Sequence, residues 1–177
     1  MPFIKAGRRS DDPFLRVADD APVPENKPAI VSAARFLAET AELSRRGAPT
    51  GVIWPNNRSV AELAPQLNRL ALVALVFPSF RDGRAYSQAR LLRERYGFRG
   101  EVRATGDVLR DQFLFLTRAG FDAFEVKKEA DADAFADALA RFSVVYQPGA
   151  DERISAFRRR LSGGVQRDLT PHREAVS

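Results

Sequence analysis

Short apolar runs recur along the chain at Gly51–Trp54, Leu72–Phe77, Glu101–Ala104, Ala123–Val126 and Ser143–Tyr146, with amphipathic segments at about 59–68, 84–96, 108–119 and 131–142 between them. Successive runs start about 20–30 residues apart, the length of a strand plus a crossover helix. That rhythm predicts right-handed βαβ units and an α/β fold with a mainly parallel sheet of about five strands and helices on both faces. The alternative is a partial βα barrel. Leu72-Val73-Ala74-Leu75-Val76-Phe77 is apolar at every position, as a central parallel strand must be when both faces are covered.

The flanks read differently. Residues 1–28 carry five acids and Pro2, Pro13, Pro22, Pro24 and Pro28, so they are expected as a mobile arm. Its short apolar patch, Phe14, Leu15 and Val17, is the candidate for an edge strand. Helical periodicity starts after Pro28, with Ile30, Ala34, Leu37 and Ala41 on one side and Arg45-Arg46-Gly47 as a basic stop. Residues 29–150 then form a single α/β domain. Residues 151–177 are basic and are expected to be largely disordered.

Composition narrows the chemistry. The 177 residues include no cysteine, which removes disulfides, thiolate nucleophiles and cysteine-ligated iron–sulfur or zinc sites. One histidine, His172, lies near the end, so multi-histidine metal sites are not expected. No G-x-G-x-x-G, G-x-x-x-x-G-K-[ST] or G-x-S-x-G pattern is present, and no cofactor or metal is assigned. No stretch approaches the 18 or so apolar residues that span a bilayer, and the charged N-terminus does not read as a secretory signal. The expectation is a cytoplasmic protein with no membrane partner.

The charge is uneven. The chain has 24 Arg against 4 Lys. Arginine forks bind oxyanions, so the surplus fits anion binding, but G+C-rich coding enriches arginine equally. Residues 81–118 carry nine Arg and five acids, whereas residues 119–152 carry three basic and eight acidic groups. A bipolar surface suits a charged protein partner or a small anion. Nucleic-acid binding is not favoured, because Glu94 and Glu101 interrupt the arginines and no aromatic platform accompanies them.

Ligands of open parallel sheets bind beyond the strand C-terminal ends. Two segments fall there with suitable chemistry. In Asp82-Gly83-Arg84 with Ser87, Asp82 caps a helix while Arg84 and Ser87 hold an anion, or Asp82 is a cap and Arg84 a solvated first-turn residue. In Gly106-Asp107 with Asp111 and Gln112, two carboxylates lie four residues apart at a helix start, as an acid and base or as a cap and a dipole-facing acid. Arg103, just upstream, joins Arg84 as a possible second arm of an anion clamp.

The run Phe77-Pro78-Ser79-Phe80-Arg81-Asp82-Gly83-Arg84-Ala85-Tyr86-Ser87 continues in Gly100-Glu101-Val102-Arg103-Ala104-Thr105-Gly106-Asp107-Val108-Leu109-Arg110-Asp111-Gln112 and Gly120-Phe121-Asp122-Ala123-Phe124. Together these resemble a bacterial domain-of-unknown-function family labelled as an oxidoreductase involved in sulfite reduction. The likeness extends from about Gly51 to Gln147. That label rests on genes lying beside those for sulfite reductase. The resemblance therefore implies an accessory protein of assimilatory sulfite reduction, docking on sulfite reductase or an associated electron-transfer protein without its own redox cofactor. The alternative is a small enzyme or sensor binding a sulfur oxyanion or phosphorylated ligand at the strand ends. Where family members commonly read Arg-Cys-Gly-Phe-Asp, this chain has Arg118-Ala119-Gly120-Phe121-Asp122, which fits a small buried position better than a required thiol.

Overall fold

The apolar runs pair in chain order. The computed structural model describes residues 2–130 together with Ala132 and Ala134. Strands β1 (Phe3–Lys5), β2 (Arg8–Ser10), β3 (Leu15–Arg16), β4 (Ala29–Ser32), β5 (Thr50–Trp54), β6 (Leu72–Phe77), β7 (Glu101–Gly106) and β8 (Ala123–Glu125) form one sheet in the order β2-β1-β8-β7-β6-β5-β4-β3. From β3 to β8 every neighbour is parallel, and β1 joins β8 antiparallel. The expected run at Ser143–Tyr146 and, apart from Ala132 and Ala134, the segment 131–142 lie outside the described residues, as does the tail 151–177.

The expectation of about five strands with helices on both faces is corrected in two ways. The sheet has eight strands among the described residues: four of the expected runs, β1, β2 and β3 from the segment read as an arm, and β4 from the start of the segment read as a helix. Strictly sequential order with right-handed crossovers sends each connection to the same side, so the described helices cover one face. The sheet curls into a half-barrel, the partial-barrel alternative. A chain-length argument explains the curl. β2 and β3 lie at opposite edges, seven spacings of about 4.8 Å or roughly 34 Å apart if flat. The five steps from Ser10 to Leu15 can reach only about 18 Å.

The strands' period-2 alternation sorts side chains onto two faces. Val31, Val52, Trp54, Val73, Leu75, Phe77, Val102, Ala104 and Phe124 pack the convex face beneath the helices. Opposite them lie α1 (Ala33–Ala38), α2 (Thr40–Leu43), a 3₁₀ stretch at Val60–Arg69, α3 (Arg84–Arg90) with a π turn at Leu91–Arg95, and α4 (Phe113–Ala119). Their contribution includes Phe36, Leu63, Leu67, Ala85, Ala89, Leu92, Phe113 and Leu116. The concave face is different. Ile30, Leu72 and Ala74 form a small apolar floor under Phe14 and Ile53, and the neighbouring Glu101, Arg103 and Thr105 are buried polar residues.

The helix expected to begin just after Pro28 starts later. Ala29–Ser32 is a strand because Ile30 and Val31 are β-branched and Gly51 and Val52 offer a parallel ladder beside them. Ser32 ends the strand, and its hydroxyl accepts the Arg35 N–H at 3.1 Å to cap α1. Arginines then fix the preceding segment. Arg35 donates to the carbonyls of Ala18 and Ala21 at 2.8 and 2.6 Å, and Arg46 to those of Pro24 and Lys27 at 2.6 and 2.7 Å. Part of the arginine surplus is thus neither ligand chemistry nor a solvated face, but side chains tying backbone loops together.

Candidate functional site

Parallel register brings the C-terminal ends of β5 to β8 to one rim, and the loops leaving them carry the residues predicted from strand-end logic. β7 ends at Gly106, whose φ of +97° turns the chain so that the next N–H, that of Asp107, reaches the Phe77 carbonyl at 2.8 Å. Asp107 then points across to the loop after β6. Its Oδ2 accepts the Phe80 N–H at 3.0 Å and its Oδ1 the Lys127 ammonium at 2.8 Å. Gln112 completes the link, donating Nε2 to the Phe80 carbonyl at 3.1 Å and accepting the Leu109 N–H at 3.2 Å. Lys127, and then the Phe80 N–H, hold the Asp107 carboxyl below its ordinary pKa.

Asp107 is therefore not the cap of the following helix, which opens as a 3₁₀ turn at Arg110–Gln112 with Leu109 as its N-cap. Asp111, expected beside Asp107 as a second carboxylate, turns elsewhere. It is exposed and acts on Tyr86, whose phenol is pushed up by burial first and by the Asp111 charge second. Among the described residues no group of three His, Cys, Asp or Glu side chains is placed to hold a metal ion.

Asp82, Gly83 and Arg84 stay together at the start of α3. Asp82 Oδ1 accepts the Arg84 backbone N–H at 3.3 Å and Nε at 2.9 Å, while Oδ2 accepts Nη2 at 2.6 Å. The Arg84 side chain, helped by its backbone N–H, holds the Asp82 carboxyl well below the usual carboxylate range. Ser87 is exposed one turn on. The N-cap of α3 is Gly83 and no side chain caps it, so the cap expected of Asp82 is not formed; its carboxylate stands one residue earlier, accepts the Arg84 N–H and occupies the fork of Arg84.

Arg103 lies elsewhere. Its position on β7 alternates with Val102 and Ala104, which sends its side chain to the concave face, where it is completely buried. Nε donates to Glu101 at 2.8 Å and Nη1 to Glu125 at 3.2 Å. The terminal edge of the guanidinium grips Asp12 bidentately, Nη1 to Oδ2 at 2.6 Å and Nη2 to Oδ1 at 2.9 Å. The Phe3 and Phe14 rings flank it, with centroids 4.4 and 5.8 Å from Cζ. Burial works against its charge, but Asp12 and Glu101 outweigh burial and raise its pKa. Glu125 also accepts Arg16 at 2.8 Å and the Thr105 hydroxyl at 2.6 Å, and Lys5 sits 2.8 Å from Glu101. Arg84 and Arg103 thus hold separate carboxylates and do not converge on one clamp.

Asp12, Arg16, Lys5 and Glu125 were not apparent as site residues from local spacing. One signal was available: Glu101, Arg103 and Thr105 alternate with apolar residues along a strand, placing three polar groups on one face.

The family described as "Bacterial protein of unknown function (DUF934)" matches residues 51–157, more than half of the chain. The chain belongs to this family. No curated protein matches the sequence. The DUF934 span opens at β5 and includes the whole strand-end rim together with Glu101, Arg103, Thr105 and Glu125. Asp12, Arg16 and Lys5, which complete the concave cluster, precede the matched DUF934 span. Ala119 packs into the core at 7% exposure on the inner side of α4, an environment suited to any small apolar side chain.

Proposed function

We propose that this DUF934 protein is a cytoplasmic accessory protein of assimilatory sulfite reduction that docks on sulfite reductase or its electron donor. The reaction context comes from the family resemblance, and one feature of the surface supports docking. Phe80 and Phe115 are 42% and 66% exposed. They belong to one region, because Gln112, whose amide holds the Phe80 carbonyl, lies three residues or about one helical turn before Phe115. Arg81 stacks 5.4 Å from the Phe80 ring centroid, and Arg84 and Arg110 are exposed nearby in sequence. Exposed aromatic rings rimmed by arginine have the composition of an interface core. The basic rim selects an acidic partner surface.

For the alternative of an oxyanion-binding enzyme or sensor at the strand ends, the relevant observation is that Arg84 and Lys127 each already hold a carboxylate of the chain. Docking needs no vacant cation.

Size-exclusion chromatography of the full chain mixed with sulfite reductase, with and without the electron-donor subunit, tests the proposal. The expected result is a complex at low salt that weakens at moderate salt and is lost in F80A/F115A. Separate elution in both mixtures, or a complex indifferent to the double substitution, would overturn it.

A further inference from the structure

We infer that the concave face holds a receptor for a small oxyanion, occupied in this structure by the chain's own Asp12. The guanidinium of Arg103 is oriented from the sheet: Glu101, two residues away on β7, takes Nε, and Glu125 on β8 takes Nη1. Two aromatic rings fix its plane. Its terminal fork faces away from these sheet partners, and Asp12 fills it with two parallel bonds. That geometry recognises any anionic centre bearing two adjacent oxygens, whether carboxylate or sulfur oxyanion.

The segment that carries Asp12 is suited to giving way. β2 and β3 anchor its two ends by their own ladders, and Leu15 and Val17 donate to Pro28 and Ile30. Between those anchors, no backbone–backbone hydrogen bond ties residues 11–13 to the rest of the described chain; the bonds there are local, from Ser10 Oγ to the Asp11 carbonyl at 3.3 Å and from the Phe14 N–H to Asp12 Oδ1 at 3.0 Å. Asp12 is 30% exposed, although the arginine that it grips is wholly buried. A cavity of about 250 Å³, lined by Phe3, Arg9, Asp11, Asp12 and Glu129 among others, opens on the outer side of Asp12.

Charge balance makes the same point. Arg103, Arg16 and Lys5 face Asp12, Glu101 and Glu125, three against three. Withdrawing Asp12 leaves one uncompensated positive charge inside the half-barrel, which a bound anion compensates. The inference is independent of docking through Phe80 and Phe115, which lie elsewhere on the protein.

The test uses the native chain, D12A, D12N and D12A/R103K, each checked for folding by circular dichroism and then titrated with inorganic sulfate against chloride at matched ionic strength. Thermal stabilisation by sulfate is expected to reach half its maximum in D12A at a concentration at least about tenfold below that for the native chain. D12A/R103K, which keeps the charge but loses the fork, is expected to lose that gain. D12N carries the comparison if D12A fails to fold. A parallel titration with acetate assigns the receptor to carboxylates or to sulfur oxyanions. A folded Asp12 variant that responds as the native chain does to both anions would overturn the inference. So would unfolding of both D12A and D12N, which would make the carboxylate a part of the fold, or a response that R103K leaves intact.

Discussion

Lys127, just past β8, places its ammonium 2.8 Å from Asp107 Oδ1, just past β7, so two neighbouring strand ends are joined by one exposed ion pair. The other oxygen of Asp107 holds the Phe80 N–H, which ties the pair to a third strand end. The folded-state pKa of Asp107 lies below its ordinary 3.8, so its contribution is complete above that value and is lost as the pH falls through the lowered one. D107A is expected to leave the fold intact, to speed amide exchange at Phe80, and to remove this component of the acid-induced loosening. Hydrogen exchange at Phe80, measured at neutral pH and again near pH 3, checks both effects.

Arg84 is committed to Asp82 but is well exposed, with 58% of its side chain accessible. An exposed pair two residues apart contributes little to stability. R84A is expected to leave the melting temperature close to that of the native chain while the Asp82 carboxyl moves up toward its ordinary pKa. Carboxyl titration by NMR reads that shift directly. A native-like Asp82 titration in R84A would show that another group holds the carboxylate down.

The ease with which the sequence could be read follows from how local each signal was. β6 is apolar throughout and was predicted at its full length, Leu72–Phe77, and the neighbouring runs at 51–54, 101–104 and 123–126 fell on β5, β7 and β8. β4 was hidden because Ile30 also fits the helical stripe that continues through Ala34 and Leu37; only the ladder with β5 decides between them. The first three strands are short and two are fully exposed; β2 pairs only with β1, and β1 joins the sheet through a partner far along the chain, with Phe3 meeting Glu125. The rim loops at 82–84 and 106–107 were legible because strand ends are a general location for function. The role of Arg103 was not, since its bidentate partner Asp12 lies 91 residues away.

Arg93 shows the same non-local stitching on the helical side. Nε donates to the Gly120 carbonyl at 2.9 Å, Nη1 to those of Phe98 and Gly100 at 2.7 and 2.8 Å, and Nη2 pairs with Asp122. Asp122 in turn accepts the Val102 N–H at 2.9 Å at the start of β7. R93A leaves three carbonyls and a carboxylate without this donor, and a loss of about 2–3 kcal/mol is expected. R93K should recover little, because one ammonium cannot reproduce the fork. Urea denaturation checks this, with a lower midpoint at unchanged slope as the signature.

Two glycines of the rim separate backbone necessity from ligand chemistry. At Gly106 an added Cβ would stand 2.4 Å from the Phe77 carbonyl oxygen, and φ is +97°, where L side chains are strained. At Gly83 φ is −81°, and the nearest atom to an added Cβ is a Tyr86 ring carbon at 3.8 Å. G106A is expected to cost roughly 2–4 kcal/mol, since either the turn or the close approach of β6 and β7 must give way. G83A should stay within about 0.5 kcal/mol of the native chain, as the helix start has both the space and the φ for alanine. Thermal and urea unfolding of the two variants side by side checks the contrast. Equal, small effects would mean that Gly106 is not required by the backbone, and a ligand would then be the better reason for a glycine at that point of the rim.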